Sequence, residues 1–277
     1  MCFTDSVRDE RGKVRYGIAT LKGIWIVDGS VTLSPEQAAK FRIRFWIFFM
    51  HSWGYWCSWP LLCWIKMLSN DLIAGGTESS TVTIEWAISE LVRRPEVLAK
   101  ATEELDRVVG RERWVEEKDI PNLPYIRNIV KETMRLHPVA PMLVPRMSRE
   151  QVQIDGYDIP VGSVVLVNTF TIHRDPKVYE SPEEFCPERF IGKNIEVKGH
   201  DFELLPFGSG RRMCPGYSLG LKIIESSVAN ILHGFTWKLP DSIKPEDLDM
   251  DEIFGLSNPK KLPLVACAEP RLPLHMY

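Results

Sequence analysis

The densest chemistry in the chain is the ten-residue run Phe207-Gly208-Ser209-Gly210-Arg211-Arg212-Met213-Cys214-Pro215-Gly216. The two glycines before the arginines let the backbone bend tightly and approach a bulky group, and Pro215 is suited to a first helical position. This reading leaves Cys214 at a helix N-terminus, where the helix dipole and two neighbouring arginines favour the thiolate. An electron-rich thiolate is the nucleophile of redox enzymes and also a soft metal ligand. A buried structural cysteine is the commonest role for this residue type. That role does not account for two glycines, two arginines and an aromatic in the seven residues before Cys214.

The pattern F-x-x-G-x-R-x-C-x-G resembles the haem-binding loop of the cytochrome P-450 superfamily, and all five defined positions match. The resemblance implies that Cys214 is the proximal iron ligand of a b-type haem. It also implies that Phe207 lies beside the ligand, that Gly208 and Gly210 shape the loop, and that Arg212 reaches a haem propionate. Further motifs occur in the order the family keeps. Gly75-Gly76-Thr77-Glu78-Ser79-Ser80 is similar to the family's oxygen-binding helix, with Ser79 where threonine is usual. Glu78 and Ser79 are then the catalytic residues that relay protons to dioxygen. Taken alone, the adjacent glycines cost a helix roughly 1 kcal/mol each relative to alanine. They are either simply tolerated or permit close approach of a flat ligand or a local widening.

Glu132 and Arg135 are three residues apart on one helix face and could form only a surface ion pair, contributing about 0.2–0.5 kcal/mol. Resemblance to the family's E-x-x-R helix, together with Pro187-Glu188-Arg189-Phe190, implies instead a buried Glu/Arg/Arg network that is a folding device. Similarity continues from Arg135-Leu-His-Pro138 to Pro145-Arg146, and Arg146 is implied as a second propionate partner. The His173-Arg-Asp-Pro176 segment and the tail Phe254 to Pro259 resemble plant microsomal members. Val139, Ala140, Leu143 and Leu256 are the expected substrate contacts, with core packing as the alternative for each. His137 and His173 read as plain loop or cap residues, since nothing pairs with them at metal-ligand spacing.

These groups need elements to hold them. Ile84, Ala87, Ile88, Leu91 and Val92 recur at helical spacing before Pro95, predicting a helix over about 71 to 94. Leu98, Ala101, Leu105 and Val108 predict a second, ending at Gly110, and Ile126, Ile129, Val130 and Thr133 a third, ending at Pro138. Val152 to Ile154 alternates into Asp155-Gly156, a two-residue hairpin signal, and Ser163 to Thr169 reads as another strand. A Pro-rich irregular stretch from Asp175 to Phe190 precedes a last long helix marked by Leu221, Ile224, Val228, Ile231 and Leu232. The expected fold is mainly α with a small β portion, the C-terminal half of the cytochrome P-450 fold.

The 277 residues carry 34 Lys+Arg against 37 Asp+Glu, a formal charge of −3, and 44% are hydrophobic. Whole-chain disorder is excluded, and no general basic field favours nucleic acid. The six cysteines include no C-x-x-C pair, which suggests a reducing compartment. The first twenty residues are charged throughout and show no secretory signal.

Residues 70–277 form the expected catalytic half, and residues 1–69 an unassigned segment. Within that segment Ser34-Pro35-Glu36-Gln37 is a helix start. Phe45 to Ile65 has no charged residue in 21 positions, yet holds five of the nine tryptophans, unlike a typical spanning helix. A truncated or mis-assembled reading frame, including translated non-coding sequence before Asn70, is the expectation here.

The resemblance as a whole implies a monooxygenase acting on a small lipophilic, plant secondary-metabolite-like substrate with O2. Electrons would come from an NADPH-dependent reductase, at the cytosolic face of the endoplasmic reticulum membrane. The rival expectation is a truncated, non-catalytic fragment that does not fold or only binds haem.

Overall fold

A computed structural model describes residues 60–277 except 241, 242, 254 and 256, together with four two-residue strands near the start of the chain. The Ser34 helix start, residues 45–59 of the aromatic run, and Leu256 lie outside the described residues. The chain forms two compact units, residues 1–77 and 78–277, each described by itself. In the first, β1 (Cys2–Phe3) pairs antiparallel with β4 (Ile18–Ala19), and β2 (Val7–Arg8) with β3 (Val14–Arg15).

Helix α1 (Pro60–Arg93) starts eleven residues before the predicted Asp71. Pro60 suits a first helical position, and no strong breaker lies between it and the paired glycines. The helix is continuously α-helical through Gly75 and Gly76, so no local widening occurs there.

Within residues 78–277, the last turns of α1 pack with α2 (Pro95–Val108), α3 (Pro124–Leu136) and α5 (Tyr217–Gly234) around one apolar core. Leu91, Leu105, Ile129, Val130, Val228 and Leu232 are fully buried there. Each such side chain is stabilised by about 1.5–3 kcal/mol relative to exposure. Helices α2 and α3 both begin with proline. Helix α2 ends as predicted at Gly110, whose φ of 76° is the left-handed conformation that glycine adopts without strain.

The β portion is peripheral. β5 (Arg146–Met147) pairs with β8 (Val164–Val165), and β6 (Val152–Ile154) with β7 (Tyr157–Ile159). Asp155 and Gly156 both have positive φ, as the predicted hairpin turn requires. The predicted strand over 163–169 is shorter than expected, because Asn168 caps a one-turn helix, α4 (Thr169–Ile172), by accepting from the Thr171 amide. A pairing not anticipated joins β9 (Phe235–Lys238) to β10 (Cys267–Pro270). Among the described residues no helix is long and apolar enough to cross a membrane.

Candidate haem-thiolate site

The run Phe207 to Gly216 forms a closed loop. The Cys214 N–H donates to the Phe207 carbonyl at 2.9 Å, and the Met213 N–H to the Gly210 carbonyl at 3.1 Å. Gly208 and Gly210 have φ of 71° and 68°, a conformation that strains other residues. Phe207 lies edge-on to Tyr217 and against Gly220 on the first turn of α5. Cys214 is exposed, as are Arg211 and Arg212.

One expectation is corrected here. Helix α5 starts at Tyr217 with Gly216 at its cap, so Pro215 is not the first helical residue and Cys214 precedes the first turn. The segment Gly210–Arg212 forms a 3-10 turn of its own, which takes up the residues that would otherwise bring the cysteine onto the helix. The dipole argument for the thiolate therefore loses its geometric basis, since that field falls off within the first turn.

Beside the loop lies an open cleft of about 370 Å³ lined by Leu143, Arg146, Val167, Phe202, Leu205, Ser209 and Gly210. A methyl group added at Gly208 would meet Leu143 at 3.6 Å and the Arg146 guanidinium at 4.0 Å. The structure thus brings Arg146, Leu143, Gly208 and Gly210 together. Cys214, Phe207 and Arg212 stand on the adjoining loop and outside the cleft's lining. A soft thiol on that loop beside an apolar wall and the exposed Arg146 guanidinium suits a flat apolar ring with an iron centre and carboxylate tails, so these residues fit a haem. Val139 and Ala140 fall in the chain between α3 and this cleft, outside its lining.

The predicted ion network is present and buried. Both Glu132 oxygens accept from Arg135, at 2.7 and 2.8 Å, and Oε1 also accepts from Arg189 Nε at 2.9 Å and from the Cys186 N–H at 2.8 Å. Arg135 further donates to the carbonyls of His173, Pro182 and Glu184. Glu132 and Arg135 are wholly buried, so the surface-pair alternative is excluded.

Glu78 and Ser79 lie on α1, Glu78 exposed and Ser79 half-buried. Glu78 Oε1 accepts from the Ser257 hydroxyl at 2.6 Å, a partner that sequence reasoning missed. Gly75 and Gly76 precede them on the same helix, within the first unit.

A further position escaped the sequence. Gly199 has φ of 76° and stacks on the loop so closely that an added methyl would meet the Gly208 carbonyl oxygen at 2.8 Å. Its own carbonyl accepts from the Ser209 hydroxyl at 2.5 Å. The only local signal is a glycine in Lys198-Gly-His200, which marks a turn but not its neighbour.

His137 and His173 are the cap residues at the C-terminal ends of α3 and α4, but neither is plain. His137 Nε2 lies 2.7 Å from Glu90 and Nδ1 3.0 Å from Glu252, and its ring stacks on Trp86 with centroids 3.9 Å apart. Burial alone would raise the pKa of Glu90, but the His137 hydrogen bond and the charges of His137, Arg94 and Arg93 hold it below the ordinary value. His173 is fully buried, and its Nε2 accepts from the Leu205 N–H at 2.9 Å. Burial, reinforced by the Arg135 charge, pushes its pKa down to about 4.

A helical body presents an exposed cysteine in a closed glycine–arginine loop and holds a buried Glu/Arg/Arg network, and these features make the loop a candidate haem-thiolate site. Comparison with known proteins places it further. A family model described as Cytochrome P-450 matches residues 64–266, and the chain belongs to that family. It is 57% identical over 218 residues to trimethyltridecatetraene synthase of Zea mays, covering 77% of this chain and 39% of that protein. It is 48% identical over 208 residues to a cytochrome P-450 of Persea americana, covering 75% and 41%. A solved zebra fish cytochrome P-450 with progesterone superposes with a TM-score of 0.64 at 31% identity, over 73% of this chain and 44% of that one.

The chain thus spans about two fifths of the length of these curated relatives. Residues 1–58 match a second family model, described as a protein of unknown function, DUF679. No motif was legible in that stretch of the sequence.

Proposed function

We propose that residues 70–277 supply the thiolate-bearing half of a haem b monooxygenase that inserts one oxygen atom from O2 into a small lipophilic substrate. Electrons come from an NADPH-dependent reductase, at the cytosolic face of the endoplasmic reticulum membrane. The closed Cys214 loop beside the Arg146 cleft is the observation that carries this reading. Two Zea mays relatives, named trimethyltridecatetraene synthase and dimethylnonatriene synthase, support a lipophilic substrate class, since both names describe unsaturated hydrocarbon products.

Haem, when bound, supplies the centre at which dioxygen is activated. Cys214 would ligate it through sulfur, and Arg146 and Arg212 would hold its carboxylates by charge-assisted hydrogen bonds. Leu143 and Val167 offer the apolar wall of the cleft. Glu78 takes protons from solvent, held by the Ser257 hydroxyl, and Ser79 passes them on.

A second reading, a non-catalytic haem-binding remnant, rests on the apolar side chains left exposed beside the cleft. Val144, Met147, Val164 and Phe202 are each more than 60% exposed. Such surface is unusual in a self-sufficient soluble domain.

The test is a reduced carbon-monoxide difference spectrum of the chain expressed with haem, with Cys214→Ser as control, followed by turnover with a reductase. A red-shifted Soret band lost in the control, with turnover, supports the monooxygenase. The same band without turnover supports the remnant, and no band defeats both.

A further inference from the structure

We infer that His173 is a positioning residue for the Cys214 loop, accepting the Leu205 N–H at its ring Nε2 and so fixing where the loop begins. The inference rests on the reading of that loop as the ligand site, and it assigns a task to a motif, His173-Arg-Asp-Pro176, that the proposed chemistry leaves unused.

The geometry is a chain of single hydrogen bonds. His173 Nε2 accepts from Leu205 N–H at 2.9 Å, the Leu205 carbonyl accepts from Gly208 N–H at 3.1 Å, and the Phe207 carbonyl accepts from Cys214 N–H at 2.9 Å. On its other side, His173 is tied to the buried ion network. Its carbonyl accepts from Arg135 at 2.9 Å, and its own N–H donates to the Thr169 carbonyl at 2.8 Å. One residue therefore joins the Glu132–Arg135 network to the first turn of the ligand loop.

A second tie runs parallel to it. The Tyr179 hydroxyl donates to the Glu203 carbonyl at 3.0 Å, and its ring lies under the Arg135 guanidinium at 5.1 Å. The stretch 203–205 is thus held at both a carbonyl and an amide.

An acceptor at Nε2 requires the proton on Nδ1, so the ring must hold one tautomer. Burial keeps the ring uncharged at ordinary pH, which preserves the acceptor lone pair. Leu205 is itself buried, so its N–H would have no water to turn to if the ring were removed. A histidine that only filled space would show no such directional demand.

The test needs no turnover. In the wild-type chain, long-range proton–nitrogen correlation is expected to place the His173 proton on Nδ1; a proton on Nε2 would overturn the inference whether or not any variant folds. His173→Phe keeps an aromatic but no acceptor, and is expected to speed Leu205 amide exchange about tenfold or more, relative to the Ile129 amide in α3. His173→Gln can present its amide oxygen where Nε2 stood, and is expected to restore slow exchange. Unchanged exchange in His173→Phe, or equally fast exchange in His173→Gln, would refute positioning through an acceptor.

With haem supplied, the thiolate-type Soret fraction should fall in His173→Phe and recover in His173→Gln. If the exchange pattern holds but wild type gives no thiolate band, the ligand-site reading fails while the His173–Leu205 tie stands.

Discussion

Around Glu132 the charged groups are buried and paired, whereas around Cys214 they face solvent. Glu132 accepts four hydrogen bonds from three residues, and Arg135 spends its remaining donors on three backbone carbonyls. The loop, by contrast, is held by backbone bonds, close glycine contacts, the Ser209 hydroxyl and the Phe207 ring, leaving Cys214, Arg211 and Arg212 exposed. A ligand site must leave its ligating atom unsatisfied by protein, so the rigidity the loop cannot supply itself has to come from a neighbour that is fully satisfied. In the positioning role inferred for His173, the network is that neighbour, reached through His173 and Tyr179.

The comparison breaks most visibly at its buried end. Glu132→Ala leaves Arg135 and Arg189 without their carboxylate in a site that water does not reach, and is expected to cost about 3–5 kcal/mol. Chemical denaturation followed by circular dichroism measures this. A loss below about 1 kcal/mol would mean that the arginines find other partners and that the network is not what anchors the loop.

The link between the regions should show in acid. His173 is shifted down to about 4 from 6.5, so the unfolded chain binds its proton first as pH falls. Its contribution is therefore complete above pH 6.5 and is lost progressively as pH drops towards 4, by about 3 kcal/mol in total. The difference between wild type and His173→Gln, in unfolding free energy against pH, isolates this residue from the carboxylates. Parallel curves across that window would show that His173 does not titrate with folding.

At the exposed end, Gly199→Ala forces a methyl towards the Gly208 carbonyl from a backbone at positive φ. A cost of about 1–3 kcal/mol is expected, with weaker haem retention. Gly192→Ala is the sharpening control, because it has φ of 73° but nothing within 4 Å among the described residues, and should cost only the conformational share. Equal losses at both glycines would show that contact with the loop contributes nothing.

The sequence was readable where a local pattern carries a local consequence. Helices α2, α3 and α5 follow from apolar residues at helical spacing with Pro or Gly at their ends, and the Asp155-Gly156 turn from its dipeptide. It was not readable where the partner is far along the chain. β10 carries Cys267, Ala268, Glu269 and Pro270, which show no strand alternation, and its partner β9 lies far back along the chain at Phe235 to Lys238. The network was legible through resemblance and order of motifs, while the roles of His173, Gly199 and Ser257 depend on contacts across 32, 9 and 179 positions. Pro215 misled because it fits a first helical position in isolation, whereas the preceding 3-10 turn shifts the helix start to Tyr217.

The smallest effect tests whether exposed polar contacts near the proposed proton path are energetic or merely orienting. Ser257 donates to Glu78 at 2.6 Å in a solvent-exposed position. Water can replace a hydroxyl donor there, so Ser257→Ala should change unfolding free energy by less than about 0.5 kcal/mol. A loss above about 1.5 kcal/mol would place this contact with the buried network instead. Adding Glu78→Gln gives a double-mutant cycle whose coupling is expected to stay within the same small range. A small coupling in stability combined with a changed pH profile of turnover would assign Ser257 to the orientation of Glu78, because holding a carboxylate in one rotamer alters proton delivery without altering how firmly the chain folds.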